Sequence, residues 1–518
     1  MKNFLNTIIE CIKYIQVYDY ELLNSKKDII KQYFDEMSEK QQEECLDLLK
    51  GNGKETILIL SYLLQIIRKP IIQTKIEEVL LKEDIPVLEV LNALFQMNCY
   101  LFKLPIEINQ KKHYQYQYMI YKKQVEKIEK KVACDIEYIP YSHRNSNKIM
   151  IMCRTFLSEV HAPTAKIVNI CNYLGKLGYE VCVLCTYGGN IEKEYWNEWY
   201  DSCVENSAFI NTGKICVEYF GVHVSGYIIC YTSENFIEET EETLEFIKEY
   251  NPAFVLDVGG DNIFSCLAER FTTVCSMACV KKPPLTTVHY IARYFQYTEE
   301  EDKEFVACLD KTQRVLEMIH VDELSLSQNG VHKKSDYGIK EDAFVILIAG
   351  NRLDDEVTDK VQMMLHEVLK QNENVIIVFV GNCNRLKQIM LKDEYQKNYK
   401  FIGEVRDFKG IMKIGDLFLN PPRQGGGTGA YYAIANDVPV LTLDDCDVAQ
   451  VGKQFVCEKL EDMPKIIKRY IEDGEFTQKQ KEYCKERTNI LYGINNVENI
   501  KKFIDNLEKL IYEREQHA

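Results

Sequence analysis

Two periodicities divide the chain. From Met1 to about Lys130 apolar residues recur at helical spacing, as in Leu5, Ile8, Ile9 and Ile12 and again in Val87, Val90, Leu91 and Leu94, with no strand-like alternation between them. The pattern predicts an all-helical N-terminal domain over residues 1–140 that packs as a separate unit and is closed by a helix in the Tyr- and Lys-rich stretch Gln110 to Lys131. After the polar stretch Tyr141 to Asn147 the rhythm changes. Apolar runs at Lys148 to Cys153, Glu180 to Cys185 and Phe254 to Val258 alternate with helical patterns at Thr164 to Leu177 and Glu238 to Tyr250, while Ile215 to Tyr231 reads as a β-hairpin punctuated by Gly221 and Gly226. Strands that are apolar on both faces and separated by helices require a parallel sheet covered on both sides, so residues 148–335 are expected to form a Rossmann-like domain. Lys333 to Asp342 reads as a linker. A second series, Phe344 to Ala349, Val375 to Val380, Asp416 to Asn420 and Val438 to Leu443, predicts a second Rossmann-like domain over residues 340–518. Near the end, Val497, Ile500, Ile504, Leu507 and Ile511 place one apolar stripe on a terminal helix.

Parallel sheets bind their ligands at the carboxyl ends of the strands. In the second series that directs attention to Arg352 and to the turn Gln424 to Gly429, which precedes an expected helix at Ala430 to Ala435. Helix amides at such a junction point outward unpaired, the helix dipole favours an anion, and glycines let a phosphate approach the backbone. Gly425, Gly426, Gly427 and Thr428 therefore read as a diphosphate cradle, the competing reading being a tight turn and nothing more. Arg352 supplies a forked pair of donors suited to phosphate oxygens, unless it is spent on a surface ion pair. In the first series three strand-end loops matter: Arg154 to Thr164, Gly259 to Asn262, and Thr286 to Arg293. They carry His161, which titrates near neutrality, and Asp261; either is a candidate catalytic base, and His289 is a third. The structural alternatives are a satisfied loop histidine at His161 and a helix cap at Asp261.

These residues together resemble a known architecture. Gly403 in FIGEV, Asp416 in GDLFLNPP, the glycine loop, Asp437-Val438-Pro439-Val440, and Arg352 in AGNRLDDEV look like the C-terminal domain of GT-B glycosyltransferases, a resemblance covering roughly residues 148 to 515. It implies an α/β fold of two facing Rossmann-like domains with parallel sheets, here preceded by the helical domain. It also implies a terminal helix bracing the first domain, and Arg352 and Gly425 to Thr428 on the diphosphate of a nucleotide sugar, with UDP favoured. Gln424 would then meet the donor hexose. The glycogen-synthase-like branch carries a pair of glutamates ahead of the VPV strand, and this chain has Gln424 and Tyr432 at those positions. Its loop is closer to the O-GlcNAc-transferase-like family and the bacterial cytoplasmic protein glucosyltransferases, which invert. The expected activity is transfer of a hexose or N-acetylhexosamine to a protein or glycan acceptor, with inversion and a base from the first domain. The alternative is a catalytically silent GT-B module that stabilises a partner glycosyltransferase. The helical domain is expected to be a cap or dimer surface, or else an adaptor for the acceptor.

Composition narrows the partners. A formal charge of -16 argues against nucleic acid, which needs concentrated Lys and Arg, yet leaves room for a local basic pocket. The 19 cysteines form no Cys/His cluster at zinc spacing, and Cys182 and Cys185 fall on opposite faces of one apolar strand, as core residues do. They point to a reducing, cytoplasmic setting. The longest apolar run, Thr56 to Ile67, is too short to span a bilayer, and the opening segment carries Glu10 and Lys13 where a signal peptide would be uninterrupted. No metal and no bound cofactor is expected, Asp354-Asp355 and Asp444-Asp445 reading as solvated turns. GxxxxGK[ST] is absent and no GxGxxG follows the first strand, which excludes a P-loop NTPase and weakens a dinucleotide-dependent oxidoreductase. The partners anticipated are thus the nucleotide sugar and its acceptor, with a homo-oligomer or a partner glycosyltransferase as a further expectation.

Overall fold

The computed structural model describes the chain apart from residues 18, 50–52, 83, 104–108, 134–136, 159–160, 196–197, 201–209, 294–298, 319–329, 406, 424, 445, 493 and 518. Helices run from Lys2–Gln16 to Gln110–Glu129, and two sheets follow. The first contains β1 (Asn145–Cys153), β2 (Glu180–Tyr187), β3 (Gly213–Tyr219), β4 (Val222–Cys230), β5 (Pro252–Val258), β6 (Val274–Met277), β7 (Tyr290–Arg293) and β8 (Arg314–Glu317), in the order β3-β4-β2-β1-β5-β6-β7-β8. The second contains β9 (Phe344–Ala349), β10 (Val375–Val380), β11 (Tyr399–Ile402), β12 (Leu417–Leu419), β13 (Val440–Leu443) and β14 (Val456–Cys457), in the order β11-β10-β9-β12-β13-β14. Every pairing is parallel except that of β3 with β4, the expected hairpin, which turns at Phe220 and Gly221. The central strands are apolar on both faces because helices cover both: all seven residues of β5 are buried.

Strand order creates two crevices. In the first sheet the chain leaves β1 for β2 on one side and later returns to β5 on the other, so the loops after β1 and β5 diverge. In the second sheet β9 and β12 stand in the same relation. Such topological switch points are where open α/β sheets bind ligands.

Two local expectations are corrected. Residues Tyr290–Arg293, read as part of a loop, form β7, a short buried strand that periodicity cannot separate from a turn. The helix expected at Ala430 begins at Gly427, inside the glycine run, since a first turn needs backbone and no particular side chain. The core of the helical region runs on without a break into the first sheet. One apolar cluster runs from Phe4, Ile8 and Leu60 through Leu94 and Met97 into Met150, Met152, Leu184 and Val255 of the first sheet. Its amphipathic stripes pack on one another and, through that shared cluster, on the sheet face. The opposite face packs on the terminal helix Asn496–His517, whose Ile500, Phe503, Ile504, Leu507 and Ile511 join the cluster of Ile149, Ile151 and Leu256. Tyr290 Oη donates to the Leu510 carbonyl at 3.1 Å, and Asn496 Nδ2 donates to Tyr173 Oη at 3.0 Å.

One buried carboxyl makes stability depend on pH. Asp257 in β5 accepts the Ser276 hydroxyl at 2.6 Å, and burial, which that hydrogen bond only partly offsets, pushes its carboxyl up to about 7. An unfolded Asp ionises near about 4, so the stabilisation present below that value is lost as pH rises through about 7. Asp257→Asn is therefore expected to remove part of the fall in unfolding free energy between about pH 5 and pH 8, read from denaturant midpoints. A variant with the parent's pH dependence would assign that fall to other groups.

Candidate active site

The second crevice is built around Arg423. Its side chain is 4% exposed and is fully engaged by three neighbours: Nε donates to Asn420 Oδ1 at 2.7 Å, Nη2 to the Ala349 carbonyl at 2.8 Å, and Nη1 meets Glu356 Oε2 at 2.6 Å. It thereby ties the carboxyl ends of β9 and β12 together under the glycine loop. Gly425 and Gly426 both hold φ at 86°, and a Cβ on Gly426 would lie 2.7 Å from the Arg423 guanidinium. A side chain there would be strained in backbone and crowded in space. Gly425 N–H donates to Asp447 Oδ2 at 2.8 Å, and the helix Gly427–Ala435 that follows, with Thr428 in its first turn, has Gly426 as its N-cap, which carries no side chain to bond it.

Glu356 joins this support to the expected ligand-binding arginine. Its second oxygen, Oε1, accepts Arg352 Nε at 3.1 Å and lies 2.9 Å from Nη2, so one buried carboxylate sits between two guanidinium groups. Arg352 stays 29% exposed, and its guanidinium carbon lies over the ring of Phe102, 4.2 Å from its centre, on the helix Val87–Lys103. The ion-pair alternative for Arg352 is thus realised, but toward a second-sheet carboxylate already paired on its other side. Gln424 lies outside the described residues. Tyr432 is 9% exposed and packs edge-on against Phe408, turned into the core.

The first crevice is built around Arg154, directly after β1. Its guanidinium bonds Asp261 through Nη1 and Glu192 through Nη2 and lies 4.0 Å from the ring of Phe95. Burial works to lower the pKa of Arg154, and Glu192 and Asp261 outweigh it, so the group is charged. Burial raises the pKa of Asp261, with Arg154 acting against it. The cap reading for Asp261 gives way: Asn262 caps the helix Ile263–Ala268, accepting Phe264 N–H at 3.2 Å, while Asp261 holds a left-handed φ of 55° and reaches Arg154. His161 precedes the helix Ala162–Lys176, with Nδ1 2.9 Å from Thr164 Oγ1, and burial lowers its pKa, leaving the ring neutral at pH 7. Ala165, one turn along, packs into the apolar cluster of the second sheet, which sets this helix start at the junction of the two sheets. His289 is placed elsewhere: it precedes β7 at the amino end of the strand, its N–H on Glu269, away from the carboxyl ends.

Sequence reasoning missed Arg154, Glu192, Arg423, Asp447 and Lys282. Arg154 and Arg423 carried a signal, a lone arginine at the end of an apolar strand. Lys282, in the loop after β6, has its pKa lowered by burial, with the Asp447 carboxylate of the other sheet acting against that shift.

No family model matches the chain, and no curated protein sequence matches it. Solved structures do. A variant O-GlcNAc transferase from Thermobaculum terrenum superposes with a TM-score of 0.55 at 10% identity, covering 99% of this chain and 99% of that one. Anabaena HepE, in complex with UDP and glucose, covers 70% of this chain and 99% of its own at 13% identity, with a TM-score of 0.47. The pneumococcal O-GlcNAc transferase GtfA, in complex with UDP and GlcNAc, gives 0.47 at 10% identity over 71% of this chain and 99% of its own. Taken with the two parallel sheets, their facing switch points and the returning terminal helix, the end-to-end likeness to the first of these establishes that the chain has the GT-B glycosyltransferase fold behind a helical N-terminal region.

Proposed function

We propose that this chain is a glycosyltransferase that moves a hexose or N-acetylhexosamine from a nucleotide diphosphate sugar, UDP-linked by preference, to a protein or glycan acceptor. The observation that carries the reading is the meeting of Arg352 with the Gly425–Gly426 loop at the switch point of the second sheet. A fork of N–H donors and a helix start with glycine at its N-cap answer the negative charge that grows on a departing diphosphate. The O-GlcNAc transferase likeness supports the same class of donor. In this reading Arg352, Lys282 and the amides of Gly426 to Thr428 neutralise the leaving group, without a metal ion.

The reaction is proposed to invert. His161, neutral at pH 7, takes the acceptor proton on Nε2 when its Nδ1–H donates to Thr164. Asp261 stays bound to Arg154 and shapes the acceptor side. His161→Ala is then expected to lower turnover about 100- to 10,000-fold while leaving nucleotide affinity unchanged, the mark of an interaction made only in the transition state. Turnover equal to the parent's would remove His161 from the mechanism.

The class is tested by incubating the full chain with nucleotide sugars and following sugar release and transfer. NMR of the first product from an α-linked donor reads the stereochemistry, and an α-linked product rules out inversion. Nucleotide binding without turnover for any acceptor would support the other reading, a silent module that stabilises a partner glycosyltransferase; Asp447 already on the Gly425 amide favours that reading. The free thiols of the described cysteines agree with a cytoplasmic site of action. Among the described residues no helix is long and apolar enough to cross a membrane.

A further inference from the structure

The arginines of the two crevices share an unexpected neighbour. Arg154, at the end of β1, lies on Phe95, and Arg352, at the end of β9, lies on Phe102, both rings coming from the one helix Val87–Lys103 of the N-terminal region. Residues seven apart return to the same side of a helix, about 10 Å further along its axis. The back of this helix is fixed: Leu94, Gln96 and Met97 are all fully buried, and Leu94 and Met97 belong to the core shared with the first sheet. A helix rooted in the first half of the molecule therefore lays an aromatic ring on the ligand-binding arginine of the second.

At Arg352 the contact is closely defined. Glu356 bonds the guanidinium through Nε and Nη2, the guanidinium carbon lies over the Phe102 ring, and a Cβ on Gly425 would lie 3.6 Å from that ring and 3.7 Å from Arg352 Nη2. Ring, guanidinium and glycine loop thus form one contact. We propose that Phe102 is a positioning residue of the donor site, holding the plane of Arg352 so that its donors meet the diphosphate, and that the helical region is thereby a wall of that site. This inference rests on the donor reading proposed above. Stacking on an aromatic face leaves the in-plane N–H donors of an arginine available to phosphate, and it limits the rotamers that would otherwise have to be frozen on binding. Aliphatic packing of the same volume supplies no quadrupole.

The test is titration calorimetry of UDP and GDP against the full chain and its variants, with thermal melts checking that each is folded. Phe102→Ala and Phe102→Leu are expected to weaken binding about 3- to 30-fold, Phe102→Tyr to keep parent affinity, and Phe102→Ala to cost nothing further in an Arg352→Ala background. The proposal is overturned if the leucine variant binds like the parent, if the tyrosine variant fails to rescue, or if the two losses add. Those results leave Arg352 and the donor site intact. If instead the parent binds neither nucleotide, or Arg352→Ala binds as the parent does, it is the donor reading that fails and the inference with it.

Discussion

Arg352→Ala is expected to weaken the binding of a nucleoside diphosphate about 10- to 100-fold, the cost of a charge-assisted hydrogen bond worth roughly 1.5–3 kcal/mol. The fold should survive the change. Glu356, the buried partner of Arg352, keeps Arg423 on its other oxygen at 2.6 Å, so no carboxylate is left buried and unpaired. Arg352→Lys keeps the charge but loses the fork and the flat stacking face on Phe102, and should fall between parent and alanine. Titration of UDP and GDP against the three proteins checks the series. Parent-like affinity in Arg352→Ala would mean that the diphosphate, if bound, lies elsewhere.

The neighbouring arginine should behave in the opposite way. Arg423→Ala removes the bonds to Asn420 and to the Ala349 carbonyl, half of the pairing of Glu356, and the group packed against Gly426. A loss of about 3 kcal/mol of stability is expected, the scale for breaking a buried pair with its attendant hydrogen bonds. In a chain with two sheets this should appear as an early transition of the second sheet, so denaturant unfolding must be followed by more than one probe. Unchanged midpoints would show that the loop holds its shape without the guanidinium. Two arginines on one carboxylate thus differ in exposure: Arg352 is 29% exposed and is the one proposed to meet ligand, whereas Arg423 is buried and holds the loop.

The parts of this arrangement differ in how well a sequence can reveal them. The alternation of apolar runs and helical stripes marked the two sheets and the hairpin, because burial on both faces leaves an unbroken apolar strand. The glycine run and Arg352 were legible for a similar reason, as close approach and charge at a strand end require particular residue types. Asp261 was visible as a strand-end acid, but its partner was not: Arg154 lies 107 positions away, and only the pairing of β1 with β5 brings them together. The stripes of the helical region told that one face is buried without telling against what. Phe95 and Phe102 look like any apolar pair two turns apart, and nothing local distinguishes a ring packed on leucine from one lying over a guanidinium. His289 was misjudged because a strand and its preceding loop have the same composition there, and the error of one element moved the residue to the wrong end of the sheet.

The returning terminal helix has a mechanical consequence. The chain passes from the first sheet to the second after Glu317 and comes back at Asn496 to lay Ile500, Ile504 and Leu507 against strands it left behind. The halves are therefore coupled by two covalent tethers, not one. A body held by a single tether can swing and twist freely, whereas two tethers resist torsion and leave bending about the line between them as the compliant coordinate. Any rotation of the second half against the first therefore has to strain the returning helix as well as the outgoing segment.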